Sequence, residues 1–194
     1  ACLVGSEMCI RDRIVGAGWH SKEVLSYLQD LRARGMPIVL HGLIDEYKPK
    51  GPWGSTHILG DFSALVELAR MHTGETIHYI TATGDNGIRK RFVQRIEGLR
   101  IENLKPWTLR HPYSHVGEDV EVGQGTCLAP GSVVTTHVRI GRHCILNVKV
   151  SVSHDCEIGD FVNLNPGATI CGNVRIGEGA YIGAGATVID KVSI

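Results

Sequence analysis

From Val116 onward a branched aliphatic residue returns at every sixth place: Val116, Val122, Leu128, Val134, Ile140, Leu146, Val152, Ile158, Leu164, Ile170, Ile176, Ile182 and Val188, with Ile194 opening the next hexad. Four places after each stands a small or β-branched residue, from Val120, Thr126 and Ser132 through Cys144, Cys156 and Ala168 to Val192. Neither series contains a residue more polar than a hydroxyl or a thiol. A strict six-residue period predicts a parallel β-helix, in which short strands coil and stack. If three hexads close one triangular coil, residues 18 apart lie one above the other, about 4.8 Å apart. Both series then point into the prism, and the other four places of each hexad are turn or outer surface.

The rest of the composition narrows the possibilities. The 194 residues carry 20 basic and 20 acidic side chains, so there is no charge field for nucleic acid or an anionic membrane. No apolar run is long enough to span a bilayer, and no secretory signal is evident, which points to the cytoplasm. Cys144 and Cys156 take inward places, and none of Cys127, Cys144, Cys156 and Cys171 has another cysteine 18 residues away. They read as reduced, small hydrophobes rather than a disulfide framework. Zinc-finger spacing is absent, and no metal is expected.

Both ends look irregular. Residues 1–13 lack a starting Met and resemble translated adapter sequence, so they are expected to be a non-native scar. Ile194 opens a hexad, so further coils and a cap are expected to follow it.

Residues 14–109 have a different rhythm. Ile14-Val15 leads into the turn Gly16-Ala17-Gly18. An amphipathic helix follows from about Ser21, with Val24, Leu25, Leu28 and Leu31 on one face and Gly35 as its stop. Strands are expected at Ile38–Asp45 and Ile77–Thr81, and helices at Phe62–His72 and Ile88–Ile96. Glu46–Gly60, with its Lys-Pro-Lys-Gly-Pro-Trp-Gly run, reads as a loop. Such alternation predicts a small α/β Rossmann-like domain with a parallel sheet. Ligands of such sheets bind at the carboxyl ends of the strands. Three features fall there: Gly16-Ala17-Gly18-Trp19-His20, then Asp45, then Gly84-Asp85-Asn86. A glycine turn feeding a helix can hold a phosphate. Ser21 stands where the dinucleotide fingerprint needs its third glycine, so a nucleotide or phosphosugar suits the turn better than nicotinamide. The plain alternative is a tight turn that binds nothing.

These motifs together resemble the NeuD/PglD-type sugar acetyltransferases. The resemblance rests on Gly16-Ala17-Gly18-Trp19-His20-Ser21-Lys22-Glu23-Val24, on Gly84-Asp85-Asn86-Gly87-Ile88-Arg89, on His111-Pro112, and on Asn147 through Ser153-His154-Asp155-Cys156-Glu157-Ile158-Gly159. It implies a left-handed β-helix over residues 110–194 and a homotrimer, with acetyl-CoA between neighbouring β-helices. It also implies a nucleotide-linked amino sugar, or sialic acid, held by the first domain through Gly16, Gly18, His20, Asp45, Gly84 and Asn86, with Asn147 near the substrate. His154 matches the catalytic base and Asp155 its acidic partner, with Glu157 as a fallback for Asp155. The backbone at Gly172, one coil above His154, matches the group that faces the thioester carbonyl. Asn163 stands where the family often has a histidine that contacts the acetyl donor, and Trp19 replaces a usual glycine.

The residues themselves support His154. It is the third residue of its hexad, so its side chain points out of the prism. His115, His137 and His143 also fall at outer places and are expected to be surface residues. Two other readings compete. One is a non-catalytic nucleotide-sugar-binding scaffold. The other is a zinc hydratase, suggested by His137 and His154 lying 17 residues apart, although no third ligand is evident.

Overall fold

The computed structural model describes the backbone of residues 10–194, with side chains from residue 16 onward. It divides into two compact units: residues 10–83 with 91–106, and residues 84–90 with 107–194. The short stretch Gly84–Lys90 groups with the β-helix in this division.

The first unit is built on a six-stranded sheet. Its elements are β1 (Ile10–Val15), α1 (Trp19–Ala33), β2 (Ile38–Ile44), β3 (Gly51–Trp53), β4 (Thr56–Gly60), α2 (Phe62–Met71), β5 (Ile77–Thr81) and β6 (Leu104–Pro106), with α3 (Asn86–Gly98) before β6. The strand order is β3-β4-β2-β1-β5-β6, and every pair is parallel except β3 with β4. Chain direction across the sheet switches between β1 and β5, which is where such sheets bind ligands. Val24, Leu25, Leu28 and Leu31 of α1 are buried as their spacing predicts. Asp61 caps α2 by accepting from Ser63 N at 2.9 Å.

Two parts of this unit differ from the sequence reading. Of the suspected scar, residues 1–9 lie outside the described residues, and Ile10–Arg13 continue β1 in register with β2 and β5. The segment read as a loop contains a hairpin: Trp53 pairs with Thr56 around the two-residue turn Gly54-Ser55, with Gly54 at φ 57°. Gly-Ser between two strands is a known hairpin signal. It is masked here because Pro52 sits inside a three-residue edge strand, the one setting where a strand tolerates proline.

In the second unit the period holds throughout. Strands pair with partners 18 residues away, as in Val134 with Val152 and Val152 with Ile170. They stack into three parallel sheets, one for each side of the prism. Every residue of both inward series up to Val192 lies in or against the core, with those of the terminal coils partly buried, while Ile194 is exposed. The fourth residue of each hexad adopts a left-handed conformation. Glycine takes this place at 125, 131, 167, 179 and 185, and Asp119, His137, His143, Lys149, Asp155, Phe161, Asn173 and Lys191 take it elsewhere, at φ from 53° to 61°. Each non-glycine residue there costs about 1–2 kcal/mol of strain. The stacking of every coil on the next holds these corners in place.

Among the described residues, no helix is long and apolar enough to cross a membrane.

Candidate active site

His154 and Asp155 sit on a corner of the β-helix. Cys156 beside them anchors that corner in the core. The left-handed turn at Asp155, φ 58°, brings its carboxylate back to the preceding imidazole. Asp155 Oδ2 lies 2.8 Å from His154 Nδ1. Both side chains are open to solvent, 58% and 52% exposed. A carboxylate on Nδ1 favours the tautomer protonated there, leaving the Nε2 lone pair to accept a proton.

Gly172, one coil above, explains why the imidazole can lie where it does. A Cβ on Gly172 would stand 2.7 Å from His154 Cε1 and 2.9 Å from Nε2. Any side chain there would displace the ring. Asn173 N donates to His154 O at 3.0 Å, which ties the two corners together. The structure thus brings together three residues that the sequence reading expected to meet. Below the dyad, Asp155 lines a cavity of about 580 Å³ together with Asp119, Glu121, His137 and Glu157. That is ample for a sugar.

Asn147 lies on the preceding corner, in register with Asn165 above it. Its side-chain oxygen accepts from Val148 N at 2.8 Å, and Asn165 Nδ2 donates to Ile182 O at 2.7 Å. The structure shows no contact between Asn147 and the dyad.

A second corner is organised differently. His143 and Phe161 are stacked one above the other, with centroids 5.5 Å apart and planes 8° from parallel. Glycines flank them: a Cβ on Gly125 would come within 2.2 Å of the His143 ring. The residues of Gly84–Lys90 lie against this column. Arg89 is buried and donates to His143 O at 2.8 Å, Phe161 O at 3.0 Å and Asn163 Oδ1 at 2.5 Å. Asn163 Nδ2 in turn donates to Gly84 O at 2.5 Å. Asn86 Nδ2 donates to Gly179 O at 2.5 Å, and Lys90 pairs with Glu178 at 2.6 Å.

Three expectations change here. His143 is 1% exposed, so it is not a surface residue. Burial, with help from Arg142 and Arg89 and against Asp160, pushes its pKa down to about 4, and the ring is neutral at ordinary pH. Asn163, expected at the acetyl donor, is buried with both polar atoms used inside the unit. Gly84, through its carbonyl, and Asn86, through its Nδ2, both expected at the sugar, bond to the β-helix. Arg89, within one of the resemblance's motifs but given no role there, is the residue that organises this corner. Burial lowers its pKa to about 10, so it keeps its charge under ordinary conditions.

In the first unit, Gly16 and Gly18 form the turn after β1. Gly16 has φ 97°, and a Cβ there would touch Ala82 O at 3.5 Å, so the turn passes close to the end of β5. Asp45 is buried at the end of β2. Its carboxylate accepts from Ala17 N at 2.6 Å and from Tyr47 N and Lys48 N at 2.9 Å each. Asp45 therefore shapes the glycine turn through backbone bonds. His20 is 8% exposed, with Nδ1 2.8 Å from Glu23 Oε2. Trp19 is 84% exposed at the first position of α1.

Comparison with known proteins matches this architecture. The PglD N-terminal domain model matches residues 13–96, and the bacterial transferase hexapeptide (six repeats) model matches residues 155–190. Both units thus resemble the corresponding parts of the PglD-type acetyltransferases. It is 35% identical over 111 residues to a GDP-perosamine N-acetyltransferase of Escherichia coli, a match covering 57% of this chain and 49% of that relative. The match thus spans about half the length of the curated relative. A solved mutant of GDP-perosamine N-acetyltransferase from Caulobacter crescentus, in complex with CoA and GDP-perosamine, superposes with a TM-score of 0.81 at 27% identity. That superposition covers 94% of this chain and 81% of that one. The acetyltransferase domain of PglB from Neisseria gonorrhoeae shares the fold at 22% identity, with a TM-score of 0.65 over 92% of this chain and 96% of that domain. The fold is a Rossmann-like domain followed by a left-handed parallel β-helix.

Proposed function

We propose that this chain is an acetyl-CoA-dependent acetyltransferase acting on an amino group of a nucleotide-activated sugar, with His154 as general base. The observation that carries this reading is the dyad of His154 and Asp155, seated on Gly172 beside a sugar-sized cavity. Relatives named for N-acetyl transfer to GDP-perosamine favour nitrogen over a hydroxyl as acceptor.

The chemistry follows from the geometry. The acceptor nitrogen attacks the thioester carbonyl of acetyl-CoA while His154 Nε2 takes its proton. Asp155 stabilises the imidazolium that forms. The oxyanion is held by backbone N–H groups near Gly172. The carbon–sulfur bond then breaks, and the leaving thiolate recovers the proton from His154. Acetyl-CoA enters as a co-substrate. A homotrimer that completes the acetyl-CoA site between β-helices, working in the cytoplasm where sugar nucleotides are made, is part of the same proposal.

A thiol-release assay with acetyl-CoA and a panel of nucleotide-linked amino sugars tests the reaction class. Free thiol appearing with at least one acceptor is the expected result. Tight binding of such sugars with no thiol released would favour a non-catalytic scaffold.

A further inference from the structure

We propose that His137, backed by Asp119, is a second base in the cavity below the dyad, and that it takes the first of the two protons an ammonium acceptor must lose. The inference rests on the acetyltransferase reading and adds a step to it.

The need for a second base follows from the protons. A primary amine is held as its ammonium below about pH 8 to 10. Its reaction with acetyl-CoA yields the amide, the free CoA thiol and one proton. Attack on the thioester requires the nitrogen lone pair, so one proton must leave before the carbon–nitrogen bond forms. The other leaves as that bond forms, passes to His154 Nε2 and ends on the CoA sulfur. His154 holds one proton at a time. If it took the first, it would have to discharge it before it could act as the base for attack. A separate acceptor close to the waiting ammonium removes this conflict.

His137 is placed and wired for that step. It stands one coil below Asp155 in the column of left-handed corner residues, at φ 54°, with coils about 4.8 Å apart. The two corners are tied, because Asp155 N donates to Thr136 O at 3.3 Å. The His137 ring is open to solvent and lines the same cavity as Asp155. Thr136 selects its tautomer. Thr136 Oγ1 donates its one proton to Glu118 O at 2.9 Å, so it accepts from His137 Nδ1, also at 2.9 Å. The Nε2 lone pair is left to accept a proton. Asp119 Oδ2 lies 3.5 Å from Nε2, so a ring that gains a proton there finds a carboxylate facing the new charge. Being exposed, the ring then passes the proton to water before the next turnover.

The surrounding charges suit a cation. Glu121 pairs with Arg139 at 3.7 Å and Glu157 with Arg175 at 3.6 Å, so these four largely offset one another. The Cys156 thiol is turned away, donating to Cys171 O at 3.1 Å. Asp119 and Asp155 have imidazoles as their ion-pair partners. While both rings are neutral, these two carboxylates give the cavity a negative field that draws in an ammonium. Once His137 has taken its proton, the neutral amine is no longer held by that field and can move up to His154.

Thiol release with the best acceptor from a panel of nucleotide-linked amino sugars, followed as a function of pH, tests the second base. His137→Asn keeps a side chain that tolerates the left-handed backbone and can bond to Thr136, but it cannot take a proton. At about pH 7 its kcat/KM should fall about 10- to 100-fold, at or below the usual contribution of a positioned base because buffer can also accept the proton. Near about pH 9.5, where much more of the amine arrives neutral, it should come within about threefold of wild type. His137→Gly, also suited to the backbone, should lose as much and recover about threefold or more when imidazole is added, whereas wild type should not respond. Both variants are expected to melt with wild type, since the ring is exposed. The second base is overturned if kcat/KM is unchanged at about pH 7. It is also overturned if kcat/KM falls by the same factor at every pH and imidazole restores nothing, which marks a structural role. In either case wild-type turnover leaves the acetyltransferase reading standing. A wild-type chain that releases no thiol with any amino acceptor overturns that reading and the second base with it.

Discussion

Two histidines eleven residues apart on the same β-helix show how differently one template can be used. His143 and His154 both occupy outer places of a hexad, and both rings lie across a glycine one coil away. His154 is left open, paired with a carboxylate and free to exchange protons. His143 is covered by Gly84–Lys90, stacked on Phe161 and held neutral. The hexad decides what points into the prism. What happens outside is decided by whatever else packs there.

The sharpest way to break this contrast is to remove the cover. Arg89→Met would leave Asn163 Oδ1 and two backbone carbonyls without their buried donor. Each unsatisfied group costs about 1–3 kcal/mol, so a total loss of about 3–5 kcal/mol is expected in chemical denaturation. A loss below 1 kcal/mol would mean that the covered corner does not depend on Arg89.

Acid should act on the covered histidine. Unfolded, its imidazole titrates near the ordinary 6.5; folded, it does so at about 4. Below pH 6.5 the unfolded chain therefore takes up a proton that the folded chain refuses. Stability should fall between pH 6.5 and 4 by about 3 kcal/mol and then level off from this cause. His143→Phe should remove this share of the slope, leaving the smaller part from His78, whose pKa burial also lowers, and an unchanged slope would show that other groups produce it.

Much of this contrast cannot be read from the chain. The six-residue period identifies the inward side chains of the β-helix because each coil repeats one geometry. It also puts His154, Asp155 and Gly172 together, since a spacing of 18 is a vertical neighbour. The cover on His143 has no such signal. Gly84–Lys90 is distant in sequence, and Arg89 binds backbone carbonyls, which every residue type carries. Asn163 looked available for the acetyl donor for the same reason: nothing near it in sequence reveals Arg89. In the first unit the strand and helix pattern is legible from apolar spacing. The hairpin carrying Trp53 is not, because its proline and glycines read as loop.

The open corner is expected to tolerate no addition. Gly172→Ala should displace the His154 ring and cut turnover about a hundredfold, with melting temperature little changed. Wild-type turnover in this variant would show that the ring position is not needed. The smallest effect concerns corner strain alone. Lys149 is an exposed left-handed residue at φ 58°. Lys149→Gly should gain about 0.5 kcal/mol, relief of strain outweighing the added chain entropy. A loss of stability on denaturation would mean that the lysine side chain contributes more than its backbone costs.

The division of labour between the two histidines is tested most directly by turnover of His154→Ala beside His143→Phe, each checked for wild-type melting at pH 7.5. The account predicts a fall of about 10²–10⁴-fold in kcat for His154→Ala, the usual loss for a positioned general base, and near wild-type kcat for His143→Phe. Wild-type turnover in folded His154→Ala would contradict it.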